Sequence, residues 1–187
     1  MIKIGLCGSH RTGKTTLANE FSCRHDITFL PSVAGDVFNR HNLDPANPFK
    51  SFDHRLDIQT EILTDSVELW SSHESFITDR TPIDFIAYTL ADAQSNTVVD
   101  SKKLNKYLND CFAASCQFNF IVLVQPAINL VAEKGKGAIN EAYIHHLNYL
   151  MLGALRDASV SNDFVMPESV RSIKDRVNYL ELIGNVR

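Results

Sequence analysis

The sequence lacks the patterns that mark disulfide-bonded, zinc-binding and membrane-spanning proteins. Its four cysteines form no CxxC pair, so we expect reduced thiols without a structural disulfide or zinc, as in cytoplasmic proteins. No apolar run approaches the ~20 residues needed to span a bilayer, and the first residues do not have the pattern of a signal peptide. We therefore expect a cytoplasmic protein without a membrane partner.

An excess of basic residues is also lacking. The chain has 18 Lys and Arg against 22 Asp and Glu, for a net charge of −4. This balance argues against coating of duplex DNA by charge alone, although it is compatible with a local basic site. A length of 187 residues suits one well-packed domain spanning residues 1–187, and the sequence contains no internal repeat.

Short apolar runs alternate with helical patterns along the chain. Strands are predicted over residues 2–7, 27–30, 75–79, 118–126 and 163–167. Helices are predicted over residues 15–25, 32–41, 51–70, 82–92, 101–116 and 168–184, with a further helix ending near residue 157. Strands that alternate with helices form parallel sheets covered by helices on both faces. The sequence therefore predicts an α/β fold of three layers, α/β/α, with a five-stranded parallel sheet and a ligand site at the carboxyl ends of the strands.

Residues 8–15, Gly-Ser-His-Arg-Thr-Gly-Lys-Thr, match the phosphate-loop pattern G-x-x-x-x-G-K-[ST] at every fixed position. The two glycines let the backbone curl, so that successive N–H groups and the start of the following helix face phosphate oxygens. Lys14 can reach the β- and γ-phosphates, and the Thr15 hydroxyl can bind Mg²⁺. His10 and Arg11 either contact phosphate or face solvent. The predicted nucleotide-binding residues are Gly8, Ser9, His10, Arg11, Thr12, Gly13, Lys14, Thr15 and Thr16.

An acid and an arginine follow the third predicted strand. Asp79 lies at the carboxyl end of this strand, which we expect to neighbour the first strand. The Asp79 carboxylate could hold Mg²⁺ directly or through water, orient an acceptor hydroxyl, or cap the next helix. Arg80 could clamp a phosphate with its planar guanidinium. The sequence thus predicts Lys14, Asp79 and Arg80 as catalytic residues, and Thr15 and Asp79 as metal ligands.

With these motifs, the chain resembles the small nucleoside and nucleotide kinases of the thymidylate-kinase and deoxynucleoside-kinase group. It also resembles the ribosylnicotinamide-kinase-like ATPases often found in phage genomes, which would place it in the host cytoplasm. The shared features are the phosphate loop at residues 8–16, the Asp79-Arg80 pair, and Gln59 on the long preceding helix. The resemblance implies a P-loop nucleoside triphosphate hydrolase fold of the nucleotide-kinase type, with ATP and Mg²⁺ as cofactors and, as in many such kinases, a homodimer.

The resemblance also implies an acceptor-binding helical segment at about residues 32–73. In the deoxynucleoside kinases a helix glutamine reads the base, and Gln59 is similar to it, with Arg55 one turn earlier on the same face. Arg80 would also contact the acceptor. The alternative is that Arg55 and Gln59 simply form a solvated helix face.

One departure from the family pattern concerns the catalytic glutamate that usually follows the second strand. Ser32 stands near the expected place, and Asp36 lies a turn later. Either Asp36 replaces the glutamate as an acceptor-binding acid, or Asp79 orients the acceptor, or the acceptor is not an ordinary sugar hydroxyl.

A lid is predicted at about residues 127–140, after the fourth strand. Glycines 135 and 137 would permit hinge motion, and Lys134 and Lys136 could reach the transferring phosphoryl group on closure. The segment has no arginine, so these lysines would act as point charges. The alternative is an exposed basic turn before a helix.

The favoured function is therefore transfer of a phosphoryl group from ATP-Mg²⁺ to a nucleoside or a nucleoside monophosphate. A second acceptor is the hydroxymethyl group of 5-hydroxymethyl-deoxyuridine in phage DNA, which is also a primary hydroxyl and would make DNA the substrate. A nucleotide-dependent switch or assembly ATPase is the alternative of another class. A GTPase is disfavoured because the sequence lacks the N-K-x-D guanine motif.

Overall fold

A computed structural model describes residues 1–43, 49–128, 140–157 and 162–185. Strands and helices alternate along the chain, as the apolar runs predict. In chain order they are β1 (Lys3–Cys7), α1 (Lys14–His25), β2 (Thr28–Leu30), α2 (Ala34–Arg40), α3 (Phe52–Ser71), β3 (Phe76–Thr78), α4 (Pro82–Leu90), α5 (Ser101–Ser115), β4 (Phe120–Val124), α6 (Glu141–Asp157), β5 (Asp163–Met166) and α7 (Ile173–Gly184).

The five strands form one parallel sheet in the order β2-β3-β1-β4-β5. β1 lies at the centre, with Gly5 opposite Thr78 of β3 on one side and Ile121 of β4 on the other. All five residues of β4 are buried, as expected for a strand covered on both faces. The predicted five-stranded parallel sheet is confirmed, and the loops after β1 and β3 emerge side by side at its carboxyl edge.

Helices cover both faces of the sheet. On one face, Leu17 and Phe21 of α1 and Leu180 of α7 belong to one buried apolar cluster with β1. On the other face, a larger cluster joins residues of α3, α4, α5 and α6, including Leu56 and Ile83. The predicted three-layer α/β/α arrangement is therefore confirmed.

The starts of two helices show how side-chain caps set their bounds. Ser51 caps α3, and its Oγ accepts a hydrogen bond from the His54 N–H at 3.1 Å. The last helix begins at Ile173, five residues later than predicted, because Ser172 caps it and accepts from the Asp175 N–H. The residues before it form a turn in which the Val170 N–H donates to the Pro167 carbonyl. This turn leads α7 back towards the phosphate loop.

The four cysteines are divided between the interior and the surface. Cys7 and Cys111 are buried, Cys23 and Cys116 are exposed, and all four are free thiols. Within the described ranges, no helix is long and apolar enough to cross a membrane.

Candidate active site

The phosphate loop connects β1 to α1, and its two glycines have backbone conformations that other residues rarely adopt. Gly8 has φ 151° and Gly13 has φ 85°. A Cβ at Gly8 would lie 2.6 Å from the Val124 carbonyl oxygen, and one at Gly13 would lie 3.1 Å from Nη1 of Arg176. Glycine is therefore required at both positions, because of the backbone angle and the close neighbours.

The start of α1 is suited to binding an anion. Gly13 is its N-cap, no side chain caps the helix, and its first turn carries no acidic residue. Its first N–H groups and the positive end of the helix dipole are therefore available to phosphate oxygens. Lys14 is buried, and its Nζ donates to the carbonyls of Gly8 (2.7 Å) and Ser9 (2.8 Å) across the loop.

The environment of Lys14 lowers the pKa of its ammonium from 10.5 to about 8. Burial is the largest cause, and Arg80 adds to it, while Asp84 and Asp79 act in the opposite direction. The charged form of Lys14 thus lacks full compensation in the free protein, and a triphosphate would supply the missing negative charge.

Thr15 and Asp79 meet across the loop, as the sequence predicts for a metal site. The Thr15 hydroxyl donates to Asp79 Oδ2 at 2.5 Å. Asp79 Oδ1 is buried, and it has no hydrogen-bond partner in the described part of the chain. These oxygens suit Mg²⁺, which commonly binds one or two carboxylates, a hydroxyl and substrate phosphates. A denser metal site is not present: the described residues contain no cluster of three or more His, Cys, Asp or Glu that could hold an ion.

Asp84, on α4, is a site residue that the sequence analysis missed. It is fully buried, and its Oδ1 accepts from the Gly8 N–H and from Arg80 Nη1, both at 3.2 Å. Its Oδ2 accepts from the Thr81 N–H at 2.9 Å and from the Thr81 hydroxyl at 3.0 Å. Burial raises the pKa of Asp84, and Arg80 and Lys14 counter that rise. One carboxylate thus joins the phosphate loop, Arg80 and the start of α4.

A cavity of about 480 Å³ opens beside Asp79 and Arg80. Its apolar wall is rich in aromatic rings, contributed by Phe38, Phe49, Phe85, Tyr88 and Tyr143. Rings of this kind can stack on a flat base. The cavity also touches the donor side, because the Tyr88 hydroxyl accepts from the His10 N–H of the phosphate loop at 3.0 Å.

Gln59 and Arg55 both line this cavity and are buried, so they do not form a solvated helix face. The Arg55 guanidinium stacks on the Phe49 ring, 4.5 Å from its centroid, and donates to Asp92 and to the Tyr88 carbonyl. The Gln59 amide, by contrast, makes no hydrogen bond to any residue that the structure describes. The whole Gln59 amide is therefore available to a ligand, whereas Arg55 has only its Nε without a partner and mainly stabilises the wall.

The remaining predicted site residues differ in position and exposure. Asp36 is exposed on α2 and is not part of the cavity wall, whereas Ser32 is. Thr16 is exposed in the first turn of α1, and Ser9 is fully buried. The lid lysines, Lys134 and Lys136, lie outside the described residues.

Arg11 and His10, in the middle of the phosphate loop, both interact with other groups of the protein. Arg11 has a left-handed backbone with φ 64°. The ring of His10 lies 6.0 Å from that of Tyr143, centroid to centroid.

A second missed residue, Arg176 on α7, contacts the loop from the other side of the sheet. It is buried, and its Nη1 donates to the Thr12 carbonyl at 2.7 Å. Asp84 could have been found from the Thr-x-x-Asp pattern at the start of α4, which is typical of a capping box. No sequence signal marks Arg176, because it is 164 positions away from Thr12.

Comparisons with known proteins place the fold. No protein-family model and no curated protein matches the chain. The deoxyadenosine kinase from M. mycoides, solved with dCMP and dCDP, matches at 18% identity and a TM-score of 0.68, with 98% of each chain covered. YorR from Bacillus subtilis, in complex with phosphorylated GDP, matches at 12% identity and a TM-score of 0.56, covering 98% of this chain and 96% of that one.

NadR, solved in complex with NR, matches at 13% identity and a TM-score of 0.71 over 100% of this chain, which corresponds to 51% of NadR. At such low identities these matches establish the fold rather than the activity. The chain has the P-loop kinase fold, as its resemblance to the nucleotide kinases predicts.

Proposed function

We propose that the protein is a kinase that transfers the γ-phosphoryl group of ATP-Mg²⁺ to a hydroxyl or phosphate of a nucleoside or nucleoside monophosphate. The observation that carries this proposal is the position of the aromatic cavity. It shares Asp79 and Arg80 with the edge of the phosphate loop, so that donor and acceptor could meet at one point. A switch or motor protein has no need of a second, base-sized cavity there.

The donor site would consist of residues 8–16, within a single kinase domain that spans residues 1–187. The loop N–H groups and Lys14 would hold the phosphates, and Thr15 and Asp79 would hold Mg²⁺, which neutralises charge on the β- and γ-phosphate oxygens when bound. Phosphoryl transfer proceeds through a loose transition state, so that these residues act mainly by position and charge.

The acceptor side would use the segment at residues 32–73 and α4. Gln59 would hydrogen-bond the base, aromatic rings would stack on it, and Arg80 would approach the transferring group. The acceptor oxygen would form a bond to the γ-phosphorus while the bond from that phosphorus to ADP breaks. Among the described carboxylates of the cavity wall, only Asp79 has an oxygen without a partner, and it would orient the attacking group or take its proton. Asp36 would have no part in this step.

The acceptor is proposed to be a deoxynucleoside or its monophosphate. Support comes from the cavity volume and its aromatic wall, and from a structural neighbour that is a deoxyadenosine kinase solved with deoxynucleotides. A hydroxymethylated base in DNA remains a second acceptor to be tested. Ser32 lines the cavity, and in the sequence it lies near the place where the resemblance to the kinases would put a glutamate.

An acceptor panel tests the proposal. The chain is incubated with γ-labelled ATP and Mg²⁺ and, separately, with deoxynucleosides, their monophosphates, ribosylnicotinamide and DNA containing hydroxymethyluracil. We expect label on a deoxynucleoside or monophosphate and none with the Lys14→Ala variant, which controls for contaminating kinases. Label on DNA alone would identify the second acceptor. Label released only as free phosphate across the panel would contradict transfer and favour a switch or assembly ATPase.

Gln59→Ala is expected to raise the acceptor KM about 10-fold or more while changing the ATP KM little, because the lost amide would contact the base alone. Steady-state kinetics with each substrate varied in turn measure both constants. Thr60→Ala, the exposed neighbour on α3, is the matched control and should leave both unchanged. Equal increases in the two constants would remove Gln59 from the acceptor site.

A further inference from the structure

The two buried arginines of the described chain differ in their partners. Arg55 meets the Asp92 carboxylate. Arg176 is 3% exposed, and no carboxylate lies within ion-pair distance of it among the described residues. Burial alone accounts for the lowered pKa of Arg176. A buried cation without a carboxylate is costly in a protein interior. We therefore expect the charge of Arg176 to act on an anion that binds the protein.

The hydrogen bonds of Arg176 join two segments at the edge of the sheet. Its Nε donates to the Val170 carbonyl at 3.1 Å, in the turn between β5 and α7. Its Nη1 donates to the Thr12 carbonyl at 2.7 Å. The same nitrogen lies 3.1 Å from the position that a Cβ at Gly13 would occupy. An arginine has five N–H donors in a rigid plane, so the described carbonyls use only part of its capacity.

The Thr12 carbonyl belongs to the same planar peptide unit as the Gly13 N–H. In a trans peptide the C=O and N–H bonds point in opposite directions. A hydrogen bond that holds the Thr12 oxygen towards α7 therefore turns the Gly13 N–H away from α7. An N–H group that does not face α7 is available to a phosphate, because successive N–H groups of such a loop form the anion-binding site.

We propose that Arg176 is a positioning residue for the donor nucleotide, which rests on the proposal that residues 8–16 bind it. Arg176 orients the Thr12–Gly13 peptide and adds, on the α7 side of the loop, a positive charge that no described carboxylate neutralises. Both effects strengthen binding of the polyphosphate of the nucleotide and do not depend on its base. The last helix is thereby part of the donor site.

The alternative is that Arg176 only packs α7 against the rest of the protein. Arg24 provides a more exposed comparison, because its Nη1 binds Glu181 Oε1 at 3.1 Å and so also ties α1 to α7. Arg24 does not contact the phosphate loop. A packing role predicts that substitution of either arginine changes stability and leaves ligand affinity unaltered, whereas a positioning role predicts a loss of ligand affinity for Arg176 alone.

The test measures binding of ATP, GTP and inorganic tripolyphosphate, each with Mg²⁺, by titration calorimetry without an acceptor. We expect Arg176→Met to weaken all three ligands by about 10- to 100-fold, the size of a lost hydrogen bond to a charged group. Arg176→Lys should recover part of this affinity, because it keeps the charge but not the planar fork. Arg24→Met should bind within about twofold of the wild type.

Three results would overturn the role of Arg176. The first is a folded Arg176→Met protein that binds all three ligands like the wild type. The second is a loss confined to ATP, which would indicate base recognition. The third, which decides the question if Arg176→Met does not fold, is full wild-type affinity in Arg176→Lys. A wild-type protein that binds ATP but labels no acceptor would instead overturn the proposed transfer and leave the role of Arg176 in place.

Discussion

Asp79→Asn is expected to lower phosphoryl transfer by about 10²- to 10³-fold, the range seen when one preorganised polar group is removed from an active site. The variant keeps the size of the side chain but removes the charge that faces Thr15. Because Asp79 Oδ1 has no described hydrogen-bond partner, removal of the carboxylate charge should leave the fold intact. The rate of label transfer from ATP and the melting temperature are measured together.

The same variant distinguishes the two roles that the sequence leaves open for Asp79. If Asp79 binds Mg²⁺, the concentration of Mg²⁺ that gives half-maximal rate should rise while the acceptor KM changes little. If it orients the acceptor, the acceptor KM or kcat should change at an unaltered Mg²⁺ requirement. A near-normal rate would exclude both roles.

Asp36→Asn completes the comparison between the two acids, because Asp36 is the other candidate for the acid that orients the acceptor. Its carboxylate is exposed on α2 and outside the cavity wall. We expect it to retain transfer, and a large loss would contradict the assignment of the acid to Asp79.

Asp84→Asn is expected to lower transfer about 100-fold, because small displacements of positioned groups cost rates of this order. The Asp84 carboxylate accepts four hydrogen bonds, from the Gly8 N–H, Arg80 and both donors of Thr81. Asparagine offers only one acceptor oxygen, and its amide nitrogen would face donors. We also expect a loss of about 3 kcal/mol of unfolding free energy, because Arg80 loses its buried partner.

The control for Asp84→Asn is Asp100→Asn. Asp100 also lies at the start of a helix, where it accepts from the N–H groups of Lys102 and Lys103, but it is remote from the loop. Because asparagine caps helices about as well as aspartate, it should cost about 0.5 kcal/mol of stability or less and no activity. Kinetics are measured well below the melting temperature of each variant. If folded Asp84→Asn transfers phosphate at the wild-type rate, the carboxylate only caps α4.

Much of the fold follows from local sequence patterns. The apolar run that becomes β4 and the amphipathic stripe of α3 each have one dominant solution, because burial and periodicity act within the segment itself. The start of α7 was predicted five residues too early. The residues from Glu168 are compatible with a helix, but Ser172 caps it and the Pro167–Val170 turn comes before the cap.

The donor half of the candidate site is also a local feature. The phosphate loop is contiguous, and its spacing alone predicts both glycines, Lys14 and Thr15. Asp79 was a candidate only from its place at the end of the third predicted strand, and the structure brings it to Thr15. Residues that gather around one ligand from distant segments are not predictable in this way. Gln59 and Arg55 share a helix face, but only the packing of α3 on α4 shows that this face is buried and that Arg55 binds Asp92.

The sequence by itself determined that this protein has a parallel α/β fold with a phosphate loop after its first strand, because those patterns depend on neighbouring residues. Only the tertiary structure decided which side chains surround that loop. Asp84 and Arg176 reach Gly8 and Thr12 from α4 and α7, and Asp36 is exposed and outside the cavity wall. The physical reason is that the position of a charge in space depends on how helices pack across the sheet, which spacing along the chain does not specify.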